Sequence, residues 1–184
     1  MINGYNASDI LLIALMPGDP ISSTITKIQR QLSQKQLVTT SHALPPIIPI
    51  SYVIAADLEL SINIVSSHSW RPLMTGSYHN VESFLFANVY PNDIWHQLNL
   101  QIKESTNSTT LGSIPLVNSL LVSIDANYKL KDLKSHNLQK NKLLTNLGSR
   151  KWTAIAAKTF HKTFCNAESW IWEIVCSRRV RYQT

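Results

Sequence analysis

Apolar positions along this chain follow two periods, and the switches between them mark its elements. Ile10-Leu-Leu-Ile-Ala-Leu-Met16 is an unbroken apolar run bounded by turn residues. A run of that length predicts a central strand covered on both faces. Pro17-Gly18-Asp19-Pro20 ends it, with Asp19 suited to an N-cap and Pro20 to the first helical position. Ile21, Ile25, Ile28 and Leu32 then recur at helical spacing, one apolar stripe among Ser, Thr, Lys, Gln and Arg.

Ala43-Leu-Pro-Pro-Ile-Ile-Pro-Ile50 reads as a stiff entry into a half-buried strand. Proline fixes φ and donates nothing to a ladder, so the strand begins at or after Pro46. Pro49 makes it an edge, or leaves one side unpaired and facing a cleft. Asp57 to Ile64 alternates apolar and polar and predicts a strand, with a helix from near Ala55 as the competing reading. Ser66 to Tyr78 is polar, holds Pro72 and Gly76, and predicts a loop or irregular edge. Val81 to Tyr90 is aromatic and β-branched, a strand. Ile94, Leu98 and Ile102 form a second helical stripe, and Glu104 to Thr110 a polar loop. Ile114 to Ile124 is a second Pro-started strand. Asn127 to Leu147 is Lys-, Asn- and Leu-rich, a basic surface helix or a long loop. Lys151 to Phe164 and Ser169 to Val180 predict closing strands, with Trp170, Trp172, Ile174 and Cys176 sharing one face at period two.

Two segments rhyme. Leu12-Ile-Ala-Leu-Met-Pro-Gly-Asp-Pro-Ile21 and Leu85-Phe-Ala-Asn-Val-Tyr-Pro-Asn-Asp-Ile94 each end a strand at Pro-x-Asp, and a helix and a Pro-started strand follow. Strand–helix–strand used twice predicts an α+β fold of two pseudo-symmetric lobes. Each lobe is a small, mostly antiparallel sheet with helices outside, and the Pro-started strands meet at a central cleft. Residues 1–184 then make one two-lobed domain: lobe one about 9–65 plus the closing strands, lobe two about 81–125, and a basic segment 127–151.

Composition narrows the function. At 184 residues and 44% hydrophobic, the chain has enough apolar surface for a core. No apolar run approaches the roughly 20 residues a membrane span needs, so no membrane partner is expected. Met1 to Asn6 lacks a basic segment followed by an apolar core, so a cytoplasmic location is expected. Cys165 and Cys176 are too few for a disulfide framework and read as buried or idle thiols. No histidine is grouped with Cys, Asp or Glu at metal-ligand spacing, and no Gly-rich phosphate loop or Gly-x-Ser-x-Gly elbow occurs, so no metal or cofactor is expected. Charge divides the chain: residues 1–128 carry 5 basic against 8 acidic side chains, residues 129–184 carry 12 against 3. A basic C-terminal third suits a polyanion or phosphate ligand, RNA or a nucleotide.

The opening strand and amphipathic helix, Ala43 to Ile50, Phe84 to Ile94 and the Pro115 strand together resemble the two-histidine phosphoesterase superfamily, the 2′-5′ RNA ligase-like and cyclic phosphodiesterase proteins. The resemblance covers about residues 9–125. It implies two inner strands each bearing His-x-Thr/Ser-apolar. One imidazole would activate a water or hydroxyl, the other would protonate the leaving oxygen, and the hydroxyls would hold phosphate. This chain departs from the motif: Ile47 stands where the first His belongs and Pro49 where its hydroxyl belongs. On the second strand Leu116 or Val117 replaces His, and Ser119 is left as a hydroxyl. An aliphatic side chain moves no proton, so the resemblance implies a divergent, non-catalytic relative that binds a phosphate-containing ligand. A second expectation is a phosphodiesterase with relocated groups, His42 and His161 as acid and base and Ser119 or Thr163 on phosphate. A third is a protein-interaction module whose cleft is filled by Ile47, Ile48 and Val117. Arg178, Arg179, Arg181 and Lys151 are the candidate phosphate or nucleic-acid contacts.

Overall fold

A computed structural model describes residues 6–34, 45–68, 72–90, 93–109, 112, 114–123, 147–148, 151–164 and 167–181. The first expected strand is β1 (Ile10–Pro17), with Leu11 to Leu15 all buried. The helix α1 (Ile21–Gln34) follows, its first turn anchored where the Asp19 carboxylate accepts the Ser23 N–H at 3.1 Å. β2 (Ile48–Ile54) pairs antiparallel with β1. A 3₁₀ turn (Ala55–Asp57) then leads into α2 (Leu58–Ser67).

That helix overturns the strand expected from Asp57 to Ile64. Leu58, Ile62 and Val65 fall at i, i+4 and i+7 and are buried, whereas Leu60, which a strand would have buried with them, is 46% exposed. The Asp57 carboxylate fixes the start of α2 by accepting the backbone and side-chain N–H groups of Asn107, at 2.8 and 3.2 Å. β3 (Leu73–Val81) replaces the loop expected up to Tyr78, and a two-residue turn joins it to β4 (Phe84–Tyr90). Glu82 takes that turn with φ 52°.

After β4 come α3 (Asp93–Ser105), the short β5 (Ser108–Thr109) and β6 (Leu120–Ser123). The second Pro-started strand therefore begins five residues after Pro115; residues 114–119 form an irregular strap instead. β7 (Leu147–Gly148), β8 (Trp152–Phe164) and β9 (Ala167–Arg179) complete the chain. The segment expected as basic helix or loop lies, apart from β7 and Lys151, outside the described residues. In β9 the expected period-two face breaks. Cys176 pairs with Ala156 and Ile174 with Ala157, so Val175 is an extra residue and the strand changes face there.

The two sheets are antiparallel and ordered β5-β2-β1-β8-β9 and β6-β4-β3-β7. Reading outward from the inner strands, β2-β1-β8-β9 corresponds to β6-β4-β3-β7. The correspondence extends to single residues. In β1–β2, Ile13 pairs with Ser51 and Ala14 with Pro49, leaving Ile50 as a bulge. In β4–β6, Leu85 pairs with Ser123 and Phe86 with Leu121, leaving Val122 as a bulge. Ile13 thus answers Leu85 and Ser51 answers Ser123, each a shift of 72 residues. The sequence rhyme had placed Leu12 on Leu85, one residue out of this register.

The lobes join where the inner strands touch. Leu121 N–H donates to the Ile47 carbonyl at 2.7 Å, one antiparallel bridge between the sheets. On the convex side the helices cross over it: Gln29 of α1, itself buried, donates its amide to Val122 C=O of β6 at 3.0 Å. One core then runs through both lobes. It takes the stripes of α1 (Ile21, Ile25, Ile28, Leu32) and α3 (Trp95, Leu98, Ile102) together with alternate residues of β1, β2, β4 and β6.

A second apolar cluster lies on the opposite, concave face: Leu12, Ala14, Ile47, Tyr52, Phe84, Phe86, Ile114, Leu121 and Ile155. The strap is tied across it. The Tyr52 hydroxyl donates to Ile114 C=O at 3.1 Å and accepts Ile114 N–H at 2.8 Å. Gly112 lies against the same ring, and a Cβ there would run into it. At the outer rim Lys158 Nζ reaches the Asp9 carboxylate at 2.7 Å and holds that carboxyl below its ordinary range. This tie contributes above the ordinary carboxylate pKa and is lost as pH falls through the lowered one.

Replacing Tyr52 by Phe leaves two buried backbone groups of Ile114 without a partner. We expect a loss of about 1–3 kcal/mol in urea unfolding and faster hydrogen exchange of the Ile114 amide. Unchanged exchange there would show that the phenol does not hold the strap.

Candidate functional site

The concave face carries groups from both lobes, and its lobe-one half is filled by buried apolar side chains. Because directly paired residues share a face, Pro49, Ala14 and Ile155 stand in one row across β2, β1 and β8. Ile47 and Leu121 meet beside that row, at 0% and 2% exposure. None of these side chains donates, accepts or carries a proton.

The lobe-two half is different. By the same shift of 72 residues, Ile47 is answered by Ser119 and Met16 by Asn88. Ile155, opposite Ala14, is answered by His79, opposite Phe86. Three aliphatic positions in one lobe are therefore a hydroxyl, an amide and an imidazole in the other. They line a cavity of about 540 Å³ together with Thr75, Val89, Tyr90, Val117 and Asn118.

Local structure holds these groups in place. His79 stacks on Phe86 with ring centroids 5.8 Å apart, and its Nδ1 is buried without a hydrogen-bond partner. Asn88 Nδ2 donates to Ser77 Oγ at 2.8 Å, and that oxygen lies 2.9 Å from Thr75 Oγ1. Asn118 sits at φ 49°, a conformation asparagine tolerates better than most residues, and accepts Asn99 Nδ2 at 3.3 Å. Its turn drops Ser119 into the buried wall. On the convex side of β3, burial raises the pKa of the Tyr78 phenol, so it stays neutral. The cavity thus offers hydroxyl, amide and imidazole groups, and no carboxylate, Lys or Arg among its described residues. Among the described residues no group of three or more His, Cys, Asp or Glu could hold a metal ion.

The residues singled out from the sequence are dispersed. Ser119 is in the cavity wall, at the position answering Ile47; the structural register thus moves the second motif, which had put Leu116 or Val117 opposite that role. His42 lies outside the described residues. The backbones of His161 and Thr163 stand opposite Trp170 and Glu168 toward the tip of the β8–β9 hairpin. His161 is six residues beyond Ile155, roughly 20 Å along the strand. Arg178 faces the convex side and reaches Glu59 of α2 at 3.1 Å. Arg179, next along the strand and opposite Thr153, takes the concave side. Arg181 is exposed, its N–H bonded to Ser66 C=O, and Lys151 is exposed just before β8. Cys176 is a free, half-buried thiol whose pKa burial raises, and Cys165 lies outside the described residues.

His79 and Asn88 were missed. His79 lies between the loop expected up to Tyr78 and the strand expected from Val81, and Asn88 lies inside that aromatic, β-branched strand. The period-two row Phe84, Phe86, Asn88, Tyr90 carries the signal, since it turns polar after two aromatics. No family model matches the chain, and no curated protein does. Among the described residues no helix is long and apolar enough to cross a membrane.

A polar substitution at Ile47 separates a filled junction from an open groove. We expect Ile47→Asn to cost about 2–4 kcal/mol in urea unfolding, as a core change does. A loss below about 0.5 kcal/mol would mean that the site faces solvent.

Proposed function

We propose that this protein is a non-catalytic, two-lobed binding protein of phosphodiesterase-like architecture. Its lobe-two cavity takes a small phosphate-containing ligand, a nucleotide. The observation that carries this reading is the asymmetry of the duplicated halves. Acid–base cleavage of a phosphodiester needs two proton carriers facing one ligand from the two lobes. The junction here presents Ile47, Pro49 and Leu121, and one hydroxyl, Ser119. Binding needs only one lobe, and lobe two keeps a polar cavity whose hydroxyls and amides suit phosphate and ribose oxygens.

A nucleotide is favoured over an RNA chain because the terminal arginines do not form one surface. Arg178 and Arg179 alternate across β9, and Arg178 is engaged by Glu59. An RNA track needs a row of cations along one groove.

Titration calorimetry with AMP at low salt tests the proposal. We expect saturable one-to-one binding, no turnover of a 2′,3′-cyclic nucleotide, and a loss of about fivefold in affinity for Ser119→Val. Absence of saturable binding overturns it. Turnover of the cyclic nucleotide that a His42→Ala, His161→Ala double variant abolishes would establish the relocated-histidine enzyme instead. Tight RNA binding with a steep salt dependence and no affinity for AMP would move the site to the basic segment.

A further inference from the structure

The cavity has two ends of different chemistry. The floor is polar, built from Ser119, Asn118, Asn88 and His79. The exposed residues of the lining are Tyr90 and Thr75, and Tyr90 is the one aromatic ring among them. Tyr90 closes the concave row Phe86, Asn88, Tyr90 and is 63% exposed, the most exposed large apolar side chain among the described residues. Val117 of the strap is part of the cavity wall. A flat, uncovered ring at the mouth of a polar cavity is a stacking surface.

We propose that Tyr90 is the platform on which the base of the bound nucleotide lies, and that the site selects nucleoside monophosphates over di- and triphosphates. This rests on the nucleotide reading above and adds which part of the ligand the rim reads. The selection follows from charge. Hydroxyl and amide groups can satisfy the oxygens of one phosphate, but the described lining holds no Lys or Arg to offset the charge of a second or third. Stacking is indifferent to which base is present, because every base has a π-face. The site therefore takes any nucleoside monophosphate with similar affinity.

Calorimetric titration of wild type, Tyr90→Ala and Tyr90→Phe with AMP, ATP and ribose 5-phosphate tests this. Tyr90 is exposed, so both variants are expected to fold as wild type does. We expect Tyr90→Ala to lose about tenfold in AMP affinity and Tyr90→Phe to stay within about twofold. Ribose 5-phosphate should bind wild type and Tyr90→Ala equally, and ATP should bind wild type more weakly than AMP. Equal AMP affinity in wild type and Tyr90→Ala overturns the platform, and ATP binding more tightly than AMP overturns the selection. Ribose 5-phosphate matching AMP on wild type removes the platform while leaving the phosphate cavity standing. No saturation by any of the three ligands removes the cavity reading and the platform together.

Discussion

A single backbone hydrogen bond, from Leu121 N–H to Ile47 C=O at 2.7 Å, is the one backbone pairing between the two sheets among the described residues, and it sets how their inner strands meet. The duplicated halves are related by a shift of 72 residues, so symmetry would supply a second bond, from residue 49 N–H to the carbonyl of Ser119. Residue 49 is proline and has no N–H to give. The inner strands are therefore joined from one side only. The ladder ends after one bridge, and the chain around Ser119 is free to turn through Asn118 and form a cavity wall. Buried packing then reinforces a junction that backbone pairing leaves short. Gln29 crosses from the first helix to the bulged residue Val122, and one apolar core runs under both sheets.

The same duplication explains why only half of the concave face is open. The two halves share one strand pattern and register, and the face of each can be filled or left polar independently. In lobe one, Met16, Ile47 and Ile155 took the filled solution, and Tyr52 and Ile114 secure the strap that covers it. Lobe two kept Asn88, Ser119 and His79 at the answering positions. Filling one half adds apolar burial at roughly 25 cal/mol per Å². It also removes the geometry in which groups from both lobes could act on one ligand.

Much of the architecture could be read from the chain because it rests on local pattern. Pro45 and Pro46 mark the entry to β2, and stripes at three- and four-residue steps mark α1 and α3. The rhyme at Pro-x-Asp marks the duplication. What escaped depended on distant partners. Leu58, Leu60, Ile62 and Ile64 alternate as a strand would, and only the exposure of Leu60 reveals that Val65 belongs with Leu58 and Ile62. The bulges at Ile50, Val122 and Val175 change which residues share a face, and nothing in the letters announces them. The strap depends on a phenol 62 residues before its partner. β3 stayed hidden because an irregularity between Met74 and Tyr78 falls on Thr75, Gly76 and Ser77 and breaks its alternation.

Polar residues inside a sheet need a reason, because each costs desolvation unless it finds a partner. Ser77, Thr75 and Asn88 satisfy one another, and Asn99 serves Asn118. Three consecutive residues of β3 keep a buried polar atom without a partner, Tyr78 Oη, His79 Nδ1 and Asn80 Oδ1, and of these only His79, stacked on Phe86, lines the cavity. Lobe one shows that Ile155 fills the corresponding place without that cost. On the nucleotide reading, that ring nitrogen, where the other half has an aliphatic side chain, is a group left for the ligand to satisfy. The bound molecule would supply the missing hydrogen bond, and part of the binding energy would come from ending the protein's own unsatisfied state.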